Sequence, residues 1–263
     1  MELDIYQIDA FANKPFEGNP AAVVPLKSWL SETMMQTIAG ENNLAETAFF
    51  VEESEGYSIR WFTPLAEVSL CGHATLASAY VLFSQNPHLN EIIFRSASGP
   101  LHVTKDGAHI VLDFPANPIA EFATPRLLVE ALGIEPSSCL KTANGDRYVA
   151  VFDSPEQILN ANPDMNKLMS LDAKTVGITS TSTDYDFISR FFAPKIGVPE
   201  DPVTGSYHTN LIPYWSERLG KTKLNAKQVS PRGGEVFCEA RGDRVKMGGK
   251  AVQYLSGKIE IPD

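Results

Sequence analysis

Between residues 68 and 89 the chain carries no Asp, Glu, Lys or Arg, and residues 74–83 are Ala, Leu, Tyr, Val and Phe with only Thr and Ser among them. No polar face interrupts that run, which predicts a short helix buried on every side. Gly72 and His73 stand at its entrance. A helix start leaves backbone N–H groups without intrahelical acceptors and carries a partial charge of roughly +0.5. A glycine there admits a ligand close to the backbone, so the entrance is a candidate anion site.

The remaining pattern is dominated by β-branched and aromatic runs. Residues 3–11, 21–24, 57–62, 92–96, 101–105 and 109–114 predict strands, with turns at Gly18-Asn19-Pro20 and Lys105-Asp106-Gly107. Ser31 is a good N-cap for a helix over residues 31–39 that Gly40 should stop. In residues 44–52 a period of two puts Glu46 on the same face as Leu44, Ala48 and Phe50. Desolvation on an apolar face is expected to raise its pKa, which suits a group that takes and returns a proton near neutrality. The plainer alternative is a sheet-edge Glu or one paired with a cation.

The second half echoes the first. Arg60-Trp61-Phe62-Thr63-Pro64 precedes the buried helix, and Arg190-Phe191-Phe192-Ala193-Pro194 stands 130 positions later, followed by Asp201-Pro202-Val203-Thr204-Gly205-Ser206. Gly72 and Gly205 are 133 apart, so the offset is nearly preserved. A second helix is predicted from Gly205 to Leu219 with Gly220 as its stop, and strands over residues 148–152, 175–179, 186–192, 236–241 and 244–248. The pattern describes an α+β fold duplicated at half its length: residues 1–115, and residues 116–263 with the last strand free to return to the first half. Prolines 115 and 118 mark the boundary. A cleft between the halves, with both glycine-led entrances facing it, is expected.

At 263 residues, with 43% hydrophobic and 21% charged residues, either half is long enough to bury a core. The net charge of -10 argues against nucleic acid or anionic membrane as a partner, since both need a basic face. Cys71, Cys139 and Cys238 are odd in number and fall in no CxxC spacing, so neither a disulfide framework nor a zinc site is indicated. The N-terminus lacks the pattern of a signal peptide, and the uncharged run has too short an apolar core for a membrane span. A cytoplasmic protein is expected.

Two further residues carry candidate chemistry. His73 can act as acid, base or carboxylate donor, or simply cap its helix; Asp201, four residues before Gly205, can share that role or make an N-cap or Asp-Pro turn. Ser206 is a substrate contact or a cap, and Cys71 a small buried residue or a substrate-facing thiol. No GxGxxG after a strand, GxxxxGK[ST], G-x-S-x-G or HExxH occurs, so dinucleotide, P-loop, α/β-hydrolase and zincin readings lack support.

Asn43-Leu44-Ala45-Glu46-Thr47-Ala48-Phe49, Phe62-Thr63-Pro64 followed by Glu67, Cys71-Gly72-His73-Ala74-Thr75 and Glu200-Asp201-Pro202-Val203-Thr204-Gly205-Ser206 together resemble the signature segments of the PhzF-like family of phenazine-biosynthesis-type isomerases. Gly18-Asn19-Pro20 and Ser230-Pro231-Arg232-Gly233-Gly234 match as well, and the order holds over nearly the whole chain. The resemblance implies the diaminopimelate-epimerase fold: two pseudo-symmetric halves, each a bent, mostly antiparallel sheet around a central helix. It also implies a homodimer without a cofactor. It makes Glu46 the residue that moves a proton, assisted by His73 and Asp201, with Asn19, Cys71, Gly72, Gly205 and Ser206 as substrate contacts. The expected function is therefore a cofactor-independent isomerase acting on a small carboxylate. Related epimerases and proline racemases use a cysteine at each helix entrance; only Cys71 is present here, which leaves an amino-acid racemase using Cys71, or a non-catalytic binding protein, as alternatives.

Overall fold

A computed structural model describes residues 1–262. The chain forms two compact units: residues 1–113 with 247–263, and residues 114–246. The final strand thus groups with the first unit.

The first unit contains β1 (Glu2–Ala10), β2 (Asn19–Leu26), α1 (Glu32–Asn42), β3 (Glu46–Glu53), β4 (Gly56–Phe62), β5 (Glu67–Val68), α2 (Gly72–Gln85), β6 (Glu91–Ser96), β7 (Gly99–Asp106) and β8 (His109–Pro115). The second contains β9 (Ile119–Glu121), α3 (Arg126–Leu132), β10 (Ser138–Thr142), β11 (Arg147–Val151), α4 (Pro155–Leu159), α5 (Met165–Met169), β12 (Thr175–Thr181), β13 (Phe187–Phe192), α6 (Gly205–Leu219), β14 (Lys223–Gln228) and β15 (Gly234–Arg241). Strand β16 (Arg244–Gly249) spans the boundary, and β17 (Ala251–Glu260) pairs antiparallel with β1.

Strand pairing shows the duplication directly. In the first unit β2 runs parallel to β3, β3 antiparallel to β4, β4 parallel to β6 and β6 antiparallel to β7. In the second, β11–β12, β12–β13, β13–β14 and β14–β15 repeat that series of directions. Each unit inserts a long helix, α2 or α6, between the antiparallel pair and the next parallel strand. Antiparallel pairs predominate, as the sequence implied. Strand β14 was absent from the sequence reading because Lys223, Asn225 and Lys227 leave only Leu224 and Ala226 as an apolar signal; both are buried.

Helix α2 is the center of its unit. Residues 73–79 and 81–83 are all buried, and the helix packs on β1, β2, β3 and β17. The strand β3 is covered twice. Phe49 and Val51 join Met35, Ile38 and Ala39 of α1 in one apolar cluster, while α2 also contacts the strand. Ser31 does cap α1, accepting from the Met34 N–H at 3.1 Å, but the helix passes through Gly40 and ends where Asn43 turns left-handed at φ 49°. Gly18 adopts φ +67°, and a Cβ there would lie 2.1 Å from the Ala10 carbonyl oxygen, so only glycine closes the turn into Asn19. No helix among the described residues is long and apolar enough to cross a membrane.

One ion pair recurs in both units. Arg60 clasps Glu67 through two bonds of 2.7 and 2.6 Å, and Arg190 clasps Glu200 through bonds of 2.7 and 2.9 Å. Each guanidinium also lies over the ring two residues on, Phe62 at 5.2 Å or Phe192 at 5.1 Å. The side chains of Arg190 and Glu200 are 12% and 15% exposed, against 29% and 32% for Arg60 and Glu67. Breaking a buried pair by removing one partner costs about 3–5 kcal/mol, whereas an exposed pair contributes about 0–1 kcal/mol. Glu200→Gln is therefore expected to lower unfolding free energy by about 3 kcal/mol and Glu67→Gln by under about 1 kcal/mol. Urea denaturation of both variants checks the ranking; equal losses would show that burial does not set it.

Candidate active site

Three of the expected residues meet in the first unit. Glu46 is the first residue of β3, in register with Ala21 of β2; His73 lies in the first turn of α2, and Cys71 is that helix's N-cap. His73 Nε2 lies 3.1 Å from Glu46 Oε2, and Cys71 Sγ lies 3.5 Å from His73 Nδ1. At that distance the Nε2 atom and the carboxylate form a close charge-assisted contact. The His73 side chain is 8% exposed and that of Glu46 19%. Asn19, fully buried, opens β2 two residues ahead of Ala21.

The strand's period of two holds within β3, and Glu46 faces His73 of α2. Leu44 does not share that face. It precedes the strand and packs with the α1 cluster instead.

The protonation of the cluster differs from the expectation. Burial favors the neutral acid of Glu46, but the His73 charge, with hydrogen bonding from His73 and Cys71, outweighs it and lowers the carboxyl pKa below its ordinary 4.5. Burial likewise opposes charge on His73, yet the Cys71 sulfur and the Glu46 carboxylate lift the ring well above its ordinary 6.5. Burial and the Glu46 charge raise the Cys71 thiol, so at neutral pH the carboxylate is the charge that holds the imidazolium. Periodicity puts Glu46 on an apolar face but carries no information about the His73 charge that faces it. Glu46 is an ionized base at neutrality, not a neutral acid.

Glu46, Cys71 and His73 place carboxylate, thiol and imidazole atoms within 4.8 Å of one another, a set that also suits a metal ion. A metal needs thiolate and neutral imidazole as ligands. Binding one here would release the Cys71 thiol proton and the imidazolium proton of His73.

In the second unit Asp201, Gly205 and Ser206 gather at the start of α6. Asp201 Oδ2 accepts from the Thr204 hydroxyl at 2.5 Å, and the Asp201 N–H donates to the Phe191 carbonyl at 3.0 Å. Buried Gln228 locks the turn: its Nε2 donates to the Asp201 carbonyl at 2.6 Å and its Oε1 accepts from the Thr204 N–H at 2.9 Å. Ser230 Oγ donates to the Pro202 carbonyl at 2.9 Å and accepts from the Gly233 N–H at 3.0 Å, which gives the Ser230 to Gly234 segment its task. Gln228 and Arg147 were missed by sequence reasoning. They lie 24 and 59 residues from their partners, and no local pattern marks them.

Neither His73 nor Ser206 caps a helix. Ser31, Ser154 and Asp164 cap α1, α4 and α5, but α2 and α6 begin at a glycine with no side-chain cap and no acidic residue in the first turn. Their open N–H groups and macrodipoles are what a bound anion would satisfy. The N-cap of α6 is Thr204, and Cys238 is buried in β15, so α6 has no thiol at its entrance.

A mostly antiparallel α+β duplication, with a Glu–His–Cys cluster at one glycine-led helix entrance and a second such entrance in the other unit, is the arrangement to be compared with known proteins. The profile of the phenazine biosynthesis-like protein family (PhzC-PhzF) matches residues 8–257, and the chain belongs to that family. It is 49% identical over 262 residues to an uncharacterized isomerase of Pseudomonas aeruginosa, covering 99% of this chain and 100% of the relative. It is 41% identical over 286 residues to a phenazine biosynthesis-like domain-containing protein of Rattus norvegicus, covering 98% and 99%. The crystal structure of a PhzF-family protein from Enterococcus faecalis superposes with a TM-score of 0.96 at 44% identity, over 99% of this chain and 100% of that one. A hydroxyproline epimerase from Agrobacterium vitis shares the fold, with a TM-score of 0.61 at 11% identity over 100% of this chain and 93% of that one. The enzyme class expected from the sequence, an isomerase, is the class its curated bacterial relatives carry.

The shifts set a pH dependence with opposite signs for the two partners. His73 gains affinity for its proton on folding, so its contribution to stability is complete below 6.5 and is lost as pH rises through the raised value. Glu46 loses affinity, so its contribution is complete above 4.5 and is lost as pH falls through the lowered value. A proton NMR titration of the His73 ring is expected to give a midpoint above 6.5 in the wild type and a lower one in Glu46→Gln, where the Cys71 sulfur alone opposes burial. An unchanged midpoint would remove Glu46 as the cause.

Proposed function

We propose that this protein is a cofactor-independent isomerase that moves a proton between carbons of a small carboxylate substrate. The observation that supports this most is the ionized Glu46 beside the His73 imidazolium at the uncapped start of α2. In the proposed cycle Glu46 accepts a proton from a substrate C–H, the C–H electron pair enters the substrate's conjugated system, and Glu46 returns the proton at another carbon. The open N–H groups at Gly72 hold the substrate carboxylate, with Asn19 as a further contact, and the Gly205 entrance with Ser206 offers an equivalent anion site in the second unit. His73 stabilizes the Glu46 anion before the proton is taken and after it is returned, Asp201 orients the α6 turn, and Cys71 stays a neutral neighbor.

This reading is preferred to a two-thiol racemase because Thr204 occupies the α6 N-cap. It also fixes the pH profile. Activity should lose its acidic limb below 4.5 and its alkaline limb above 6.5, because base and imidazolium must coexist. The protein is further proposed to be a homodimer; sedimentation velocity at micromolar concentration checks this, and a purely monomeric species would remove it.

The decisive variant is Glu46→Gln, which keeps shape but cannot carry the proton. Deuterium incorporation from D₂O into a carboxylate ligand should fall by about 10²- to 10⁴-fold, or about 3–5 kcal/mol in barrier, with ligand affinity retained. Equal incorporation by both proteins would show that Glu46 is not the base. Absence of incorporation into any carboxylate that binds the wild type would favor a binding protein on this fold.

A further inference from the structure

Arg147 is a guanidinium of the second unit whose hydrogen bonds run into the start of α6. It stands at the head of β11 and stacks over the rings of Phe191 at 4.9 Å and Tyr207 at 5.7 Å. Its Nε donates to Thr175 Oγ1 at 3.2 Å, one terminal nitrogen donates to the Ser206 carbonyl at 2.9 Å and to Asn210 Oδ1 at 2.5 Å, and the other donates to Ser206 Oγ at 3.2 Å. None of these four acceptors is a carboxylate. Burial lowers its pKa to about 10, and it remains charged at neutrality.

A guanidinium has donors and no acceptor. Ser206 Oγ must therefore accept from Arg147, and its own hydrogen has to point elsewhere. Among the described residues no acceptor takes that hydrogen, and Ser206 is exposed. The fixed fork and ring stacking hold the guanidinium in one orientation, so the direction of the hydroxyl is set in advance and costs little ordering on binding.

We infer that Arg147 is a positioning residue of the α6 entrance: by holding Ser206 Oγ as an acceptor it presents the Ser206 hydrogen, together with the open Gly205 and Ser206 N–H groups, to a ligand carboxylate. The inference rests on the proposed reading of the entrances as carboxylate sites.

The test titrates malonate into the full-length protein and follows the backbone amide signals of Gly72, Gly205 and Ser206 by NMR, in wild type, R147Q, R147K, S206A and the two double variants. R147Q should weaken malonate binding at Gly205 by about tenfold or more, the scale of a charge-assisted hydrogen bond. R147K should recover part of that loss, since it keeps the charge without the fork. In the S206A background either Arg147 substitution should change affinity less than about twofold, because the group through which Arg147 acts is gone. A purely structural role would give the same loss with or without Ser206, and that result would overturn the inference. So would wild-type affinity in R147Q and R147K while Gly72 and Gly205 still respond to malonate, an outcome that leaves the functional reading standing. No response of either glycine in the wild type would overturn both. If R147Q does not fold, the R147K and S206A cycle carries the same comparison.

Discussion

A bidentate guanidinium–carboxylate pair stands before each long helix, half-exposed in the first unit and buried in the second, and it sets how the chain enters each helix. Glu67 lies five residues before Gly72 and Glu200 five before Gly205, so each pair ties strand β4 or β13 to the chain immediately ahead of a helix entrance. A helix with no side-chain cap gives up about 1 kcal/mol of local stabilization at its start. The clasp fixes the approach of the chain by another route, leaving the first-turn N–H groups unspent. In the second unit the clasp is reinforced, because Arg190 also donates to the carbonyls of Ile158 and Ala161. That difference in burial is why two equivalent pairs should differ in energetic weight.

The chemistry of the first entrance follows from placing an imidazole where two influences oppose its charge. Burial disfavors an imidazolium, and so does the positive end of a helix macrodipole. Only close electron-rich partners reverse the sign, and the Cys71 sulfur at 3.5 Å and the Glu46 carboxylate at 3.1 Å supply them. The same contact lowers Glu46, so each partner keeps the other ionized. A base with a depressed pKa is a weaker base but is always in the reactive form at neutrality, which shifts the burden of catalysis to stabilizing the charge that develops on the substrate.

The sequence made the local features legible and left the long-range ones hidden. An uncharged run is enough to announce α2, since a helix with no polar face has to be buried, and Gly220 ends α6 because a left-handed residue at φ 62° follows it. Gly40 misled because an interior glycine weakens a helix without ending it; Asn43 supplies the stop. The pKa of Glu46 was misjudged for a related reason: periodicity reports which face a residue occupies, not what charge waits there. Residues of the entrances could be named from their motifs, whereas the protonation of the cluster and the hydrogen bonds around Ser206 depend on contacts spanning 27 and 59 residues.

Duplication gave two similar entrances that have diverged in what surrounds them. At α2 the neighbors are Glu46, His73 and Cys71, all of them titratable. At α6 the N-cap is Thr204, the histidine is displaced to His208, and burial pushes that ring down to about 4, so it is neutral and its Nδ1 bonds the Thr204 carbonyl at 2.9 Å. Asp201 there is engaged by a hydroxyl rather than facing an imidazolium, and the nearby cation is a guanidinium that cannot give up its proton. A site built from such groups can bind and orient an anion but has little to exchange with it. The two entrances thus differ in kind: titratable groups surround the first, and the second is ringed by donors that keep their protons at neutral pH.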